Sequence, residues 1–226
     1  MPFPISLPSI KLSSMKLEIL DLGVMEYEKS LSLQKDMQLK RIDKAIPDTL
    51  ILVEHPPVIT LGRRAIEEDI LISNETASRF GVQIVQIDRG GEVTYHGPGQ
   101  LVGYFICDIA ITNGSIKRFV HSIEESLCKS LENRWGIKAG LKEDYIGVWA
   151  GEEKIAAIGL SVSRHITMHG FALNVNTNLD HFKWIIPCGI RTKGITSVQK
   201  ILQKEVPMEE IKKNVISTVK EVFGYA

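Results

Sequence analysis

The chain has 226 residues, enough for one substantial domain with a buried core or for two small ones. Lysine plus arginine and aspartate plus glutamate both number 27, so the formal net charge is +0. Nucleic acid is therefore an unexpected partner, because its binding usually needs a broad positive field. Although 44% of the residues are hydrophobic, no apolar run reaches the roughly 18 residues that a membrane span requires, and we expect no membrane association.

The first 14 residues mix apolar residues with serines and three prolines. This segment lacks the uninterrupted apolar stretch of a secretory signal, and Met15 could serve as an alternative start. We therefore predict an N-terminal extension over 1–14 and a single domain over 15–226. Three cysteines at irregular spacing do not suit a disulfide framework, and reduced thiols in the cytosol are the simplest interpretation.

The pattern of apolar residues predicts a mixture of helices and strands. In chain order it predicts a helix over 25–42, strands over 50–54, 58–61, 82–87 and 101–109, a helix over 119–135, strands over 145–149, 155–163 and 166–176, and a helix over 208–223. Residues 150–153 form the expected hairpin turn. Strands that follow one another through short turns predict an α/β (α+β) class, with a mixed, mostly antiparallel sheet and helices packed on it.

Residues 89–100 contain four glycines and one proline between two strand-like runs. Glycine loses the most backbone entropy on folding, so this density predicts backbone that approaches a ligand closely or adopts positive φ. The segment lacks the Gly-Lys-Ser/Thr ending of a phosphate loop, and a long hairpin corner without a ligand is the remaining alternative. Within it, His96 is the best candidate for a substrate-orienting or proton-carrying histidine, although a structural hydrogen bond would also explain it. No residue pattern predicts a metal site.

Among the three cysteines, position favours Cys188 as a reactive thiol. It lies between a proline and a glycine, whereas Cys107 and Cys128 lie in apolar patterns typical of buried residues. A free thiol with a pKa of about 8.5 is only a few per cent thiolate at pH 7, so a nucleophile needs a nearby cation or base. Lys154 is the candidate because an apolar run follows it, although many such lysines only extend their ammonium group to solvent.

Taken in order, these segments resemble the lipoyl(octanoyl) transferases. The resemblance runs from about residue 17 to residue 202 and rests on Glu54-His55-Pro56-Pro57, Thr60-Leu61-Gly62, 89–100, 154–159, 169–175 and Pro187-Cys188-Gly189. Phe105 stands where the family commonly shows proline, and residues 1–14 have no clear counterpart. The resemblance implies a single catalytic domain with a fold similar to that of biotin protein ligases and lipoate ligases.

The resemblance also implies an acyltransferase in which Cys188 and Lys154 act together. An octanoyl group would pass from octanoyl-acyl carrier protein to Cys188 as a thioester, and then to a lysine of a lipoyl domain. The acceptors would be the lipoyl domains of 2-oxoacid dehydrogenase complexes and the glycine cleavage H protein, and no cofactor, ATP or metal would be needed. The residues implied to line the acyl pocket are Arg89, Gly90, Gly91, Glu92, Val93, Thr94, Tyr95, His96, Ala157, Ile158, Gly159, Gly170, Phe171 and Ala172.

Three other functions remain compatible with the sequence. An ATP-dependent lipoate or biotin ligase of the same fold would activate a free acid and would not need Cys188. An amidotransferase would move octanoyl groups between carrier domains and would differ in its acyl donor. A non-catalytic module would bind acyl or carrier groups without transferring them, and the coexistence of Cys188 with Lys154 argues against it.

Overall fold

The computed structural model describes residues 15–186 and 193–226. In chain order the strands are β1 (Leu17–Val24), β2 (Asp48–Glu54), β3 (Val58–Leu61), β4 (Gln83–Gln86), β5 (Val93–His96), β6 (Gln100–Ile106), β7 (Gly140–Lys142), β8 (Tyr145–Ala150), β9 (Glu153–Ser163), β10 (Ile166–Asn174) and β11 (Gly194–Ile195). The helices are α1 (Tyr27–Ile42), α2 (Asn74–Arg79), α3 (Ile116–Trp135), α4 (Val198–Leu202) and α5 (Met208–Phe223). Short 3₁₀ turns cover Glu67–Asp69, Ile109–Thr112 and Leu179–Trp184.

The strands form two sheets. The larger follows the order β1-β2-β6-β10-β9-β8-β7, with β11 paired to the start of β9, and the smaller follows β4-β3-β5. In the larger sheet β1 with β2 and β9 with β11 pair in parallel, while the other neighbours pair antiparallel. The predicted class, a mixed and mostly antiparallel sheet with packed helices, is confirmed.

Helices cover both faces of the larger sheet. α3 and α5 bury their apolar stripes against one face, where Phe119, Ile123 and Leu127 join the main core. The Ser115 side chain caps α3 by accepting a hydrogen bond from the Arg118 N–H at 3.2 Å, and Gly136 ends the helix at φ +63°. α1 lies across β6 and β10 on the other face. None of the helices in the described part of the chain has the length and apolar character of a transmembrane span.

α1 buries an unusually polar face. Its buried residues are Tyr27, Ser30 and Gln34, which recur at helical spacing on the side facing the sheet. Gln34 accepts a hydrogen bond from the backbone N–H of His169 at 3.1 Å, which ties α1 to the middle of β10. A helix that packs polar groups against a sheet interior marks this region as different from the apolar core on the opposite face.

The glycine-rich segment is more ordered than its sequence suggests. Instead of one loop it contains β5, which pairs with β3 and so belongs to the smaller sheet. The strand predicted over 101–109 ends at Ile106, because Asp108 accepts a hydrogen bond from the Ala110 N–H and begins a 3₁₀ turn. The predicted hairpin turn is confirmed, since Ala150 pairs with Glu153 and Gly151 takes φ +58°.

Candidate active site

Two cavities meet on the α1 side of β9 and β10. The inner cavity is lined by every residue that the resemblance implied for the acyl pocket except Tyr95, together with Tyr27, Val102, Tyr104 and His169. The lysine cavity is lined by Lys154, Trp149, Lys193 and neighbouring residues. Thr94, Ala157 and Ala172 line both cavities, so the two spaces adjoin at three small side chains.

Small residues on the face of the sheet form the floor of the inner cavity. Ala172 of β10 is paired with Ala157 of β9, and two residues along each strand Gly170 is paired with Gly159. Directly paired residues share a face of the sheet, so the two pairs form a strip without bulky side chains. A Cβ atom at Gly159 would lie 3.1 Å from the Gly90 carbonyl oxygen, which shows how closely the glycine-rich backbone covers this strip.

Backbone contacts hold residues 89–92 over the cavity. The Gly62 N–H donates to the Glu92 carbonyl at 2.9 Å, and the Gly90 N–H donates to the Leu160 carbonyl at 3.1 Å. The Arg89 guanidinium donates to both the carbonyl and the hydroxyl of Thr60 at 3.0 Å. A Cβ atom at Gly62 would lie 2.4 Å from the Gly91 carbonyl oxygen, so glycine is required there by close backbone approach.

Tyr95 is the implied pocket residue that the structure does not bring to the inner cavity. In β5 the side chains alternate, so Thr94 and His96 line the cavity while Tyr95 points away from it. The Tyr95 hydroxyl lies 2.7 Å from Nδ1 of His181, and its ring packs against Phe182 and Trp184. Tyr95 therefore packs on the side of β5 that faces away from the inner cavity and supports this strand from there.

Hydrogen-bonded and stacked rings lie at the inner cavity, which Tyr27, His96 and Tyr104 line. Nδ1 of His55 donates to the Met25 carbonyl at 2.7 Å, which leaves Nε2 to accept a hydrogen bond from the Tyr104 hydroxyl at 2.8 Å. Nδ1 of His96 donates to Oε1 of Gln100 at 2.8 Å, and the His96 ring stacks on Tyr27 at 5.9 Å between centroids. These hydrogen bonds fix the orientations of the His55 and His96 rings.

Both histidines in this cluster are neutral at physiological pH. Burial lowers the pKa of His55 to about 4 and that of His96 to about 3. A proton carrier works best with a pKa close to the working pH, so the buried His96 is better suited to shape the cavity than to move protons. Two neutral rings also suit a cavity for an uncharged ligand.

These pKa shifts predict that acid destabilises the fold before it titrates the carboxylates. In the unfolded chain both histidines have a pKa of about 6.5 and become protonated below about pH 6.5. In the folded chain they stay neutral down to about pH 4. Because the unfolded chain then binds more protons, falling pH favours unfolding. Between about pH 7.5 and pH 5 we expect a loss of about 2 kcal/mol of unfolding free energy for each histidine. Urea unfolding at the two pH values measures the loss.

A substitution identifies the source of this effect. His55→Gln should remove part of the pH dependence, because it takes away one of the two buried rings. Equal urea midpoints at both pH values in the unmodified chain would mean that the buried rings accept protons without penalty.

Lys154 is buried at the start of β9, with a relative exposure of 7%. Its Nζ donates a hydrogen bond to the Ile146 carbonyl at 3.1 Å and lies 4.9 Å from the centroid of the Trp149 ring. The backbone on either side is fixed as well, because β11 pairs with β9 here and the Thr196 N–H donates to the Lys154 carbonyl at 3.0 Å. The lysine therefore presents a cation, held by a carbonyl and an indole face, at one end of the adjoining cavities.

Cys188, the predicted nucleophile, lies outside the described residues, which stop at Ile186 and resume at Lys193. Those two flanking residues line a single outer groove, and Lys193 also lines the lysine cavity. The other cysteines fit their predicted roles, since Cys107 is fully buried and Cys128 is partly buried on α3.

Sequence reasoning missed four residues that line the inner cavity: Tyr27, Val102, Tyr104 and His169. Val102 and Tyr104 alternate on β6 opposite Ala172 and Gly170, so the two-residue period of a strand could have found them. His169 carries a different signal, which only a structure reveals. It takes φ +66°, an uncommon value for a residue other than glycine, and its Nε2 lies 3.1 Å from the Asp88 carboxylate.

Comparison with known proteins adds an independent observation. Residues 26–220 match the lipoyl protein ligase A/B catalytic domain family. An octanoyltransferase from Caldicellulosiruptor saccharolyticus is 49% identical over 211 residues, which cover 93% of this chain and 90% of that protein. An octanoyltransferase from Alkaliphilus metalliredigens is 48% identical over 211 residues, which cover 93% of this chain and 97% of the relative.

Solved structures support the fold alone, because their sequence identities are low. A bi-partite lipoate protein ligase from Thermoplasma acidophilum aligns with a TM-score of 0.73 at 18% identity, over 94% of this chain and 85% of that chain. Biotin protein ligase from Aquifex aeolicus, in complex with biotin and ATP, aligns with a TM-score of 0.56 at 16% identity, over 92% and 70% of the two chains. The predicted similarity to the ligase catalytic fold is confirmed.

Proposed function

The chain belongs to the lipoyl protein ligase A/B catalytic domain family, and we propose that it is an octanoyltransferase that attaches octanoyl groups to lysines of lipoyl domains. The observation that carries this proposal is the junction of the two cavities, where the inner cavity adjoins, at Thr94, Ala157 and Ala172, the cavity that the buried Lys154 lines. Octanoyltransferases at nearly half sequence identity over most of the chain support the same activity.

The inner cavity suits a linear acyl chain. Its floor is the strip of alanines and glycines on β9 and β10, and the stacked neutral rings of Tyr27 and His96 also line it. Burying most of an eight-carbon chain at about 0.8 kcal/mol per methylene would contribute roughly 5 kcal/mol of binding free energy. The acyl carbonyl would then lie near Thr94, Ala157 and Ala172, where the inner cavity adjoins the lysine cavity.

In the proposed first step, the Cys188 thiolate attacks the thioester carbonyl of octanoyl-acyl carrier protein. The bond to the carrier sulfur breaks, an octanoyl thioester forms on Cys188, and the carrier sulfur leaves as a thiolate that would take a proton from the Lys154 ammonium. Lys154 would stabilise the thiolate before attack. Chain length permits this meeting, because five peptide steps separate Cys188 from Lys193, at most about 17 Å of extended chain, and Lys193 shares the lysine cavity with Lys154.

In the proposed second step, the amine of a lipoyl-domain lysine attacks the thioester on Cys188. An amide forms, the cysteine sulfur leaves as a thiolate, and Lys154, left as a neutral amine by the first step, would accept the proton that the attacking amine loses. We propose the lipoyl domains of 2-oxoacid dehydrogenase complexes and the glycine cleavage H protein as acceptors, in the cytosol, where free thiols stay reduced. The acyl group stays activated as a thioester when it moves from the carrier protein to Cys188, so the proposed reaction requires neither ATP nor a metal cofactor.

Intact mass measurement tests this function. We expect the unmodified protein, mixed with octanoyl-acyl carrier protein in the absence of ATP, to gain one octanoyl group that maps to residue 188. Cys188→Ser should form no thioester, whereas Cys128→Ser, which removes the partly buried thiol on α3, should be acylated like the unmodified protein.

Three outcomes would redirect the proposal. Activity that needs ATP and free lipoate, and that survives Cys188→Ala, would identify a ligase. Transfer only from an octanoylated lipoyl domain would identify an amidotransferase. Tight binding of the octanoyl carrier without acylation of either partner would identify a binding module.

A further inference from the structure

The proposed mechanism gives no role to the buried acidic residues of the described chain, and one of them, Glu124, contacts the same peptide group as Lys154. Glu124 lies on α3, with a relative exposure of 7%, at a position where the helix faces β8 and β9. Burial of a carboxylate carries a large free-energy cost unless hydrogen bonds or an opposite charge compensate for it. The contacts of Glu124 therefore indicate what it does.

Glu124 and Lys154 bind opposite ends of the same peptide group. The peptide between Ile146 and Gly147 donates its N–H to Oε1 of Glu124 at 2.8 Å. Its carbonyl, the Ile146 oxygen, accepts a hydrogen bond from Nζ of Lys154 at 3.1 Å. A carboxylate at the N–H end and an ammonium at the carbonyl end both favour this orientation of the peptide dipole, so each contact strengthens the other.

Gly147 allows the peptide to take this orientation. Its φ of +128° is a conformation that residues with a side chain rarely adopt. A Cβ atom there would lie 2.6 Å from the Ala156 carbonyl oxygen and 3.3 Å from Cε of Lys154. The pairing of β8 with β9 is also irregular between Val148 and Trp149, as in a β-bulge, which is a common way to redirect a side chain beside an active site.

The charges in this arrangement are coupled. Burial raises the pKa of Glu124, while the Gly147 N–H and the charges of His121 and Lys154 lower it. The other titratable group that senses this carboxylate is Cys128 on the same helix, whose pKa rises to about 11 through burial and then through Glu124. A buried carboxylate and a buried ammonium joined through one peptide compensate each other, and the loss of either removes part of the compensation of the other.

We propose that Glu124 is a positioning residue for Lys154, which it orients and balances in charge through the Ile146–Gly147 peptide. This inference rests on the proposed function, because it assigns Lys154 a reaction in which the direction and charge of its ammonium matter. Glu124 itself is buried on α3 and does not line either cavity.

Glu124→Gln is the decisive variant, since the amide oxygen still accepts the Gly147 N–H while the charge is lost. We expect kcat to fall by about ten- to a hundredfold, as when a supporting partner of a reacting group is lost, with KM for both carrier proteins nearly unchanged. Glu125→Gln, one residue along α3 where Glu125 forms an exposed pair with Lys129, is the matched control.

Two results would overturn the proposal. One is a folded Glu124→Gln protein with full kcat. The other is a raised KM with unchanged kcat, which would mean that the residue shapes carrier binding. Circular dichroism verifies that the variant is folded.

A measurement on the unmodified chain decides the question if Glu124→Gln does not fold. The Gly147 amide proton should resonate downfield and respond to the titration of a carboxyl group, and Lys154→Met should shift the same resonance. A Gly147 amide that responds to neither change would overturn the proposal. Because this readout involves no substrate, it distinguishes a failure of the peptide bridge from a failure of the octanoyltransferase proposal.

Discussion

Lys154→Met is expected to lower octanoyl transfer by on the order of a thousandfold, because it removes one member of a pair that acts as a unit. Methionine keeps the unbranched shape that passes Gly147 and packs on the Trp149 ring, so the fold should survive. The missing amino group matters in both proposed steps. As an ammonium it stabilises the Cys188 thiolate in the first step, and as an amine it accepts the proton of the lipoyl-domain lysine in the second.

Thiol alkylation measured against pH provides a direct readout. Without the ammonium, the pH midpoint of Cys188 alkylation should rise towards the value of about 8.5 that a free thiol shows. Each unit of rise corresponds to about 1.4 kcal/mol of lost preference for the thiolate. An unchanged alkylation profile in Lys154→Met would show that another group sustains the thiolate.

Lys142 provides a matched control for this experiment. Its Nζ lies 5.1 Å from the centroid of the same Trp149 ring, and it forms an ion pair with Glu152 at 2.6 Å, but it lines neither cavity. Lys142→Met removes a cation from beside the indole without touching the Ile146 carbonyl. It should leave both transfer and alkylation close to those of the unmodified chain.

Local sequence signals predicted much of the fold. α5 occupies the predicted range 208–223 because Pro207 precedes its first turn and Gly224 at φ +74° ends it. β3 likewise occupies its predicted range. β1 was missed because it lies at the edge of the sheet and its burial pattern shows no clean alternation. β5 was missed because flanking glycines concealed a strand of four residues, which only its pairing with β3 reveals.

The candidate site was predictable where one segment carries the signal. The glycine-rich backbone and the lysine beside an apolar run are local features, and the structure brings residues of both to adjoining cavities. Tyr27 and Glu124 were not predictable, because each acts through a partner that is distant in sequence. Glu124 reads as an ordinary helix position until the fold places it within 2.8 Å of the Gly147 N–H.

Ala172→Leu is expected to lower octanoyl transfer by about a hundredfold through steric blockage. Ala172 is buried where the two cavities adjoin, paired with Ala157 on one side and Val102 on the other. A leucine side chain there would occupy the path of the acyl chain. Keeping about four methylenes out of the inner cavity, at about 0.8 kcal/mol each, removes roughly 3 kcal/mol of binding free energy.

Chain-length selectivity distinguishes this blockage from general damage to the fold. A butyryl thioester on the same carrier needs less of the inner cavity, so its transfer should fall far less, and the octanoyl-to-butyryl ratio of kcat/KM should decrease. Ala110→Leu adds the same bulk at an exposed position and should leave that ratio unchanged. If Ala172→Leu folds and retains the octanoyl-to-butyryl ratio of the unmodified chain, the acyl group does not lie over Ala157 and Ala172, and the inner cavity is not its site.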